Sequence, residues 1–318
     1  MVMTVEFEGR SLTKMCQPLI TIGILCYNAK STIGRAIESA LAQDWMNTEI
    51  LIVDDGSTDG SMGIINGYLQ SHSNIKAIRH ETNRGTPASR NSILENFSGE
   101  YLAFFDDDDY SYPDRLTRQY EKIVHFHEEF VLCYGDREIV GRDSFEHMEY
   151  RKGLGSDAGF VSSIVAETGI FNGQKALLDR CGCWGTCILM GHRNTFDKIG
   201  RFDERFRRGQ DFEYAIRASL QGAYFTSVQG VVIRQYMTDG FDKRMEIRAR
   251  TQPRIVRKYK DVISESRFYF YELLVAYAVY HERVGNKWRF KLLRSVTKRL
   301  KKVLNFYSKT FSSRKTVY

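Results

Sequence analysis

Seven aspartates crowd two short stretches of the chain, LIVDDGSTDGS at 51–61 and FFDDDDY at 104–110. Each stretch begins with apolar residues and runs straight into carboxylates. Adjacent carboxylates repel one another, and such a run is tolerable only in water or around a cation. Hard carboxylate oxygens suit Mg2+ or Mn2+, and magnesium-type sites typically share one or two carboxylates with substrate phosphates. A nucleoside diphosphate is therefore the expected missing partner. Neither GxxxxGK[ST] nor GxGxxG occurs, so phosphate is not cradled in the P-loop or dinucleotide manner. A calcium loop competes at Asp55, Ser57, Asp59 and Gly60, but its twelfth position is Asn66 rather than Glu, and the preceding segment reads as strand. An Asx-type turn accounts for Ser57 to Asp59 without accounting for Asp54 and Asp55 together with Asp106 to Asp109.

The elements that must position these acids are legible. LITIGILC (19–26) is a short, branched apolar run and reads as a buried strand. Residues 31–43 follow a helical period through Ile33, Ile37 and Leu41, with Ser31 as the expected N-cap. EILIVDD is a second strand, 60–72 a helix, 75–78 a third strand, 86–97 a helix and 101–105 a fourth strand. Alternating strand and helix, with strands that are continuous apolar runs, predicts a parallel sheet covered on both faces. Ligands of open α/β sheets bind outside the carboxyl ends of the strands. Tyr27-Asn28, Asp54-Asp55 and the 106–109 run all fall at such ends, which makes one shared site the expectation.

The 318 residues suffice for one large domain or two smaller ones, and 42% apolar with 13% aromatic content marks globular material. No run of 18 apolar residues occurs, and MVMTVEFEGR lacks the signal-peptide pattern. The six cysteines are then expected to be reduced thiols of a cytoplasmic protein. Cys181, Cys183 and Cys187 do not have zinc-knuckle spacing and read as packing or loop residues. Charge is uneven. Residues 281–318 carry 12 Lys+Arg and one acid, hence +11, and the formal total of +7 leaves the rest near −4.

The motifs together resemble a family 2 glycosyltransferase with a GT-A fold. The carrying residues are Tyr27-Asn28, EILIVDDGSTDGS, NRGTPASRNSI (83–93), FFDDDDYSYPDRL (104–116) and GRFDERFRRGQDFEYAIR (200–217). The implied fold is a Rossmann-like, mostly parallel α/β sheet with helices on both faces, over 18–245. An N-terminal tail (1–17) precedes it, and a basic helical C-terminal extension (246–318) follows. The implied roles are specific. Tyr27 stacks on the base. Asp54 accepts a hydrogen bond from a base N–H, which favours uracil and so a UDP-sugar. Arg90 lies beside the base or its aspartate partner, a surface helix charge being the plain alternative. Asp106 and Asp107 lie near ribose and metal, and Asp108 ligates Mn2+ or Mg2+. Asp109 caps the turn before Pro113.

The family's acidic pair is Gln210-Asp211 here, so Asp211 remains as the general base, with Glu213 a weaker candidate and a helix-cap role compatible. One base and direct displacement imply inversion. Trp184 stacks on an acceptor sugar, or fills the core, and Gly185 permits close approach. His192 reads as a surface or capping residue. The family's His near the diphosphate has no counterpart in VIRQYMTDG (232–240); Gln235 or Tyr236 holds its place, and Arg234 is the expected phosphate partner. Residues 141–175 read as an insertion on the acceptor side.

Beyond the core, 267–281 reads as a helix packed on the catalytic domain. Trp288, Leu292, Val296 and Leu300 form one face of a further helix flanked by lysines and arginines. That pattern suits an anionic membrane surface through 282–318, and a peripheral location on the inner face of the membrane. A helix packed on the body with a solvated basic face is the alternative. Nucleic acid is the lesser partner, because no stacking module accompanies the basic run. The partners implied are a nucleotide-sugar donor and a saccharide or lipid-linked saccharide acceptor. The rival reading is an inactive transferase-like scaffold, or a binding protein acting through its basic tail.

Overall fold

The computed structural model describes residues 17–126, 129–141, 148–153, 183–237, 245–261 and 269–312. Its first half is a strict alternation: β1 (Ile20–Cys26), α1 (Ile33–Leu41), β2 (Thr48–Asp54), α2 (Ser61–Ser71), β3 (Ile75–Arg79), α3 (Thr86–Asn96) and β4 (Tyr101–Asp106). β5 (Tyr110–Ser111), α4 (Arg115–Val124), β6 (Val131–Val140) and β7 (Met148–Arg151) follow. After residue 182 come a 3-10 turn (Thr186–Ile188), β8 (Met190–His192), α5 (Arg193–Ile199), α6 (Gln210–Leu220) and β9 (Tyr224–Tyr236). The C-terminal extension supplies α7 (Met245–Lys258), α8 (Tyr269–Arg283) and α9 (Lys287–Ser312).

One sheet carries the molecule, in the order β3-β2-β1-β4-β8-β6-β9-β5, with β7 paired to β6. β3, β2, β1 and β4 are mutually parallel. β8 runs antiparallel to both β4 and β6, so the sheet changes direction there. β1, β2 and β4 read as unbroken apolar runs because both faces of that part are covered: Ile20 to Cys26 are all buried, as are Ile50 to Asp54. The register places Cys26 opposite Asp54 and Leu25 opposite Asp106, so the acids end their strands at one level.

The expected strands and helices fall where the periodicity places them, with one local difference. α1 is capped at Thr32, with no side-chain bond, rather than at Ser31. The chain reaches it through Asn28, which adopts φ +50°, a conformation that Asn tolerates better than most residues. The expected insertion falls largely on 142–147 and 154–182, and Cys181 lies there too, outside the described residues.

The extension is packed against the sheet domain. Phe206, Phe212 and Ile216, from α6 and the loop before it, share a second apolar cluster with Ile255, Val256, Tyr259 and Ala276. Trp184 touches both this cluster and the main core. The expected packing of the 267–281 helix is thus observed through α8.

Candidate active site

The rim of the sheet is built by side chains that bind backbone across neighbouring loops. Asn28 N–H donates to Ser57 Oγ, Ala29 N–H to Ser61 Oγ and Lys30 N–H to Asp59 Oδ2, each at 2.9 Å. Thr58 N–H returns a bond to Asn28 Oδ1, also at 2.9 Å. Asp59 additionally accepts Ser61 N–H, so the Asx-turn reading holds for this residue.

The two aspartates that end β2 point to different tasks. Asp54 has no exposed surface. It accepts Ser57 N–H at 3.3 Å and faces Arg79, whose Nε lies 3.2 Å from Oδ2. Asp55 is buried and ties down the following loop: it accepts Arg84 N–H at 2.9 Å, Gly85 N–H at 2.7 Å and the His80 ring at 2.7 Å. His80 continues to Ser92 Oγ at 2.8 Å. The pair at the mouth of the strand is therefore partly an anchor for the loop that starts α3. Sequence reasoning did not foresee His80; nothing in HETNRG marks it.

Tyr27 is half exposed, and its backbone N–H donates to Asp107 Oδ2 at 2.9 Å, joining the ends of β1 and β4. Cys26 is buried between these acids. Burial first, and then Asp107 and Asp54, push its thiol up to about 12, so it stays neutral.

Arg90 is not a surface charge. It is buried on α3 with Nη2 3.7 Å from Asp106 Oδ1, and Nε and Nη1 have no hydrogen-bond partner. It faces Asp106 rather than Asp54. A buried guanidinium with unpartnered donors costs free energy unless a ligand completes it, and its planar fork fits phosphate oxygens.

The 106–109 run divides by depth. Asp106, Asp107 and Asp108 are partly accessible, and the Asp108 carbonyl accepts Arg35 Nη2 at 2.5 Å. Arg35 also stacks over the Tyr236 ring at 4.0 Å. Asp109 corrects its expected role as a turn cap. It is buried and accepts Tyr236 N–H at 3.2 Å, and its Oδ2 has no hydrogen-bond partner. Burial, then Asp106 and Asp108, hold its carboxyl well above the usual carboxylate range. Beside it stands Cys187, with one ligand atom each of Asp106, Asp109 and Cys187 within 4.8 Å of one another. Arg137 Nη1 is 3.7 Å from the Cys187 sulfur, and Gln235 Nε2 is 3.8 Å from it.

Arg234 departs from expectation. Its guanidinium is held by Glu138 at 2.5 Å and the Tyr112 hydroxyl at 3.1 Å, so it is not poised over phosphates. Gly185 does give close approach, but to Arg137: a Cβ there would lie 2.9 Å from Nη1. Trp184 is half-buried and packs on Phe212 with ring centroids 4.7 Å apart, next to the expected base. His192 caps α5 by accepting Asn194 N–H, in line with its capping reading.

Asp211 occupies the first turn of α6, which begins after Gly209 at φ +73°. Its Oδ1 accepts Phe212 N–H at 2.9 Å, and the residue is partly accessible. Glu213, the weaker candidate, is fully buried and bound by Lys258 at 2.6 Å, the Tyr259 hydroxyl at 2.7 Å and Arg217 at 3.2 Å. Burial pushes its carboxyl up, but these three partners outweigh that and hold it below the usual range. It is a clamp between α6 and α7.

A core of parallel strands whose carboxyl ends carry acids, together with α6 carrying Asp211 in its first turn, defines an α/β protein. Residues 21–193, more than half the chain, match the family model for glycosyl transferase family 2, and the chain belongs to that family. The putative glycosyltransferase EpsE of Bacillus subtilis is 39% identical over 229 residues, covering 71% of this chain and 76% of that protein. An Escherichia coli protein named UDP-Glc:alpha-D-GlcNAc-diphosphoundecaprenol beta-1,3-glucosyltransferase WfaP is 40% identical over 110 residues, 35% of this chain and 41% of that one. A Haemophilus influenzae glycosyltransferase aligns over 122 residues at 37% identity, and this chain spans 48% of its length. Among solved structures, Staphylococcus aureus TarS residues 1–349 superpose with a TM-score of 0.57 at 17% identity, covering 83% of this chain and 72% of that one. The mannosyltransferase PcManGT of Pyrobaculum calidifontis, solved with GDP-Man and Mn2+, gives 0.53 at 17% identity over 83% of this chain and 74% of that one. These likenesses make the fold GT-A type.

Proposed function

We propose that the protein transfers a sugar from a nucleotide diphosphate sugar, a UDP-sugar first, to a hydroxyl of a saccharide or lipid-linked saccharide, with inversion. The observation that carries this reading is Arg90, a buried guanidinium beside Asp106 with two donor nitrogens unpartnered. An anionic ligand such as a diphosphate completes it. Tyr27, half exposed at the rim, offers its ring to the base, and Asp54 lies one strand away. WfaP takes UDP-Glc and a diphosphoundecaprenol-linked acceptor by name, and a TarS structure holds UDP.

The donor set fits a divalent cation: accessible carboxylates at Asp106 to Asp108, and an orphaned carboxylate oxygen at Asp109. Asp108 and Asp106 are the residues that would hold Mn2+ or Mg2+. A metal held there would supply positive charge against that developing on the leaving diphosphate. The protein's own contribution is positional. Arg90 orients the phosphates, the loop clasps fix the rim, and Asp211 accepts the proton of the acceptor hydroxyl as its oxygen attacks the anomeric carbon. Attack from one face by one base gives inversion. A positioned base is worth about 10²–10⁴-fold.

A second reading concerns location. Trp288, Leu292 and Val296 are 71%, 50% and 38% exposed on α9, and Lys287, Lys291, Arg294 and Lys298 flank them. Among the described residues no helix is long and apolar enough to cross a membrane. An exposed apolar row with a basic flank supports docking of α9 on an anionic membrane surface, where a lipid-linked acceptor resides.

The test of the donor site is thermal stability with UDP, GDP, CDP and ADP, each with and without Mn2+. A ligand that binds only the folded state raises the melting point by mass action. A UDP-selective, metal-dependent rise supports the reading. No rise with any nucleotide leaves the inactive-scaffold reading in its place.

A further inference from the structure

We propose that Cys187 is a metal ligand, and that Asp106, Asp109 and Cys187 form a mixed carboxylate–thiolate site for a borderline divalent cation such as Mn2+, Co2+ or Zn2+. The inference rests on the donor-site reading above and shares Asp106 with it, but puts Asp109 and Cys187 in the place given there to Asp108, which gives the site a metal preference. Three observations carry it. One oxygen of each aspartate and the sulfur lie within 4.8 Å of one another, the spacing of atoms that share one ion. Asp109 is 4% exposed, and its Oδ2 is buried without a hydrogen-bond partner, although Tyr236 N–H holds the other oxygen in place. Asp106, the outermost of the three, has a side chain 29% exposed and gives the ion a path from solvent.

The elements fix this set rigidly. Asp106 ends β4. Cys187 lies in the 3-10 turn that leads into β8, the antiparallel neighbour of β4. Asp109 is tied to the end of β9. Gln235 Nε2, 3.8 Å from the sulfur, and Arg137 Nη1, 3.7 Å from it, set the direction of the side chain. Thiolate ligands favour softer metals, and carboxylates suit Mg2+, Ca2+ and Mn2+, so a mixed set selects the middle of the series over Mg2+. Binding converts the thiol to a metal-bound thiolate, and the thiol proton leaves to solvent. Arg137 beside the sulfur, Arg90 beside Asp106 and the buried Arg115 are the resident cations that this site must coexist with. If they alone neutralise the cluster, no metal enters.

The experiment is Co2+ titration of the full chain, followed by the near-ultraviolet charge-transfer absorption of a cobalt–thiolate bond. The band is expected in the wild type and in Cys183→Ser, and is expected to vanish in Cys187→Ser and Cys187→Ala. Zn2+ affinity, read by competition, should fall at least about tenfold in those two variants, the loss typical of outer-shell partners alone. Two variants and a check of the melting curve guard against a folding defect. A wild type that binds Co2+ without the band, or a band that survives both Cys187 substitutions, overturns the proposal. A band with no UDP-dependent melting shift would support the site while refuting the donor reading.

Discussion

Replacing Glu213 by Gln should separate structure from chemistry at the helix that carries Asp211. The Glu213 carboxylate shows no exposed surface and takes hydrogen bonds from Arg217, Lys258 and Tyr259. Gln keeps the volume and one acceptor, but takes the acceptor charge from three bonds, which weakens or loses each. A hydrogen bond to a charged group is worth about 1.5–3 kcal/mol and a neutral one about 1, so three donors give about 1.5–6 kcal/mol. The Lys258 and Arg217 side chains are 24% and 20% exposed, and can regain some water. That moves the expectation to about 2–3 kcal/mol, below the roughly 3–5 of a fully buried pair. At about 2–4 °C per kcal/mol for a domain of this size, the melting point should drop by about 5–10 °C. Because the Glu213 carboxyl is held below its usual value, its contribution is present above the unfolded pKa and is lost as pH falls through the folded one. The gap between wild type and variant should therefore narrow in acid. Transfer measured well below the melting point should change by less than about tenfold, against the 10²–10⁴-fold of a general base. A folded variant with transfer cut by a hundredfold or more would refute the clamp and make Glu213 chemical. An unchanged melting point would refute the energetic argument.

Other outcomes follow from the same geometry. Asp211→Asn should lower kcat by about 10²–10⁴-fold while leaving sugar-nucleotide affinity within about twofold by calorimetry; full transfer would remove Asp211 as base. At the opposite end of the sheet, burial would raise Glu49, but Lys76, Thr21 and Ser98 bring it down to about 2 from its usual 4.5. On the order of 2–3 kcal/mol of stability should thus be present above pH 4.5 and fade toward pH 2, and Glu49→Gln should flatten that part of a urea-midpoint profile. Neutralising Lys291 and Lys298 with Gln should weaken binding to phosphatidylserine vesicles by about 1 kcal/mol per lysine removed, or about fivefold each. Equal binding by flotation would take α9 off the membrane.

The parallel core was legible because its strands are buried on both faces, so LITIGILC and EILIVDD show as unbroken apolar runs with their polar ends marked. Helix limits were legible to within a residue or two, since Ile33 and Ile37 keep the helical period. What was not legible is depth. In DDDD the letters are the same, yet Asp109 is buried and Asp106 is not, because Asp109 meets the end of β9, over a hundred residues away. Arg90 reads as a helix charge until α3 is laid against β4. Cys187 reads in sequence as a packing or loop cysteine, because its neighbours Asp106 and Asp109 are brought to it by the antiparallel pairing of β8 with β4 and by the end of β9. Arg234 looked available until its Glu138 neighbour in the β6–β9 ladder was visible. Gly185 was expected to open space for a ligand; the space belongs to Arg137.

The four side-chain clasps between the loop after β1 and the loop after β2 have a kinetic consequence. Asn28, Ala29, Lys30 and Thr58 each donate a backbone N–H to a side chain on the opposite loop. Neither loop can open without breaking all four bonds, so the two behave as one cooperative unit. Their amides should exchange with deuterated solvent together, and at a rate set by that shared opening. A nucleotide arriving at this rim would meet a surface already ordered, and its association rate would carry no conformational delay.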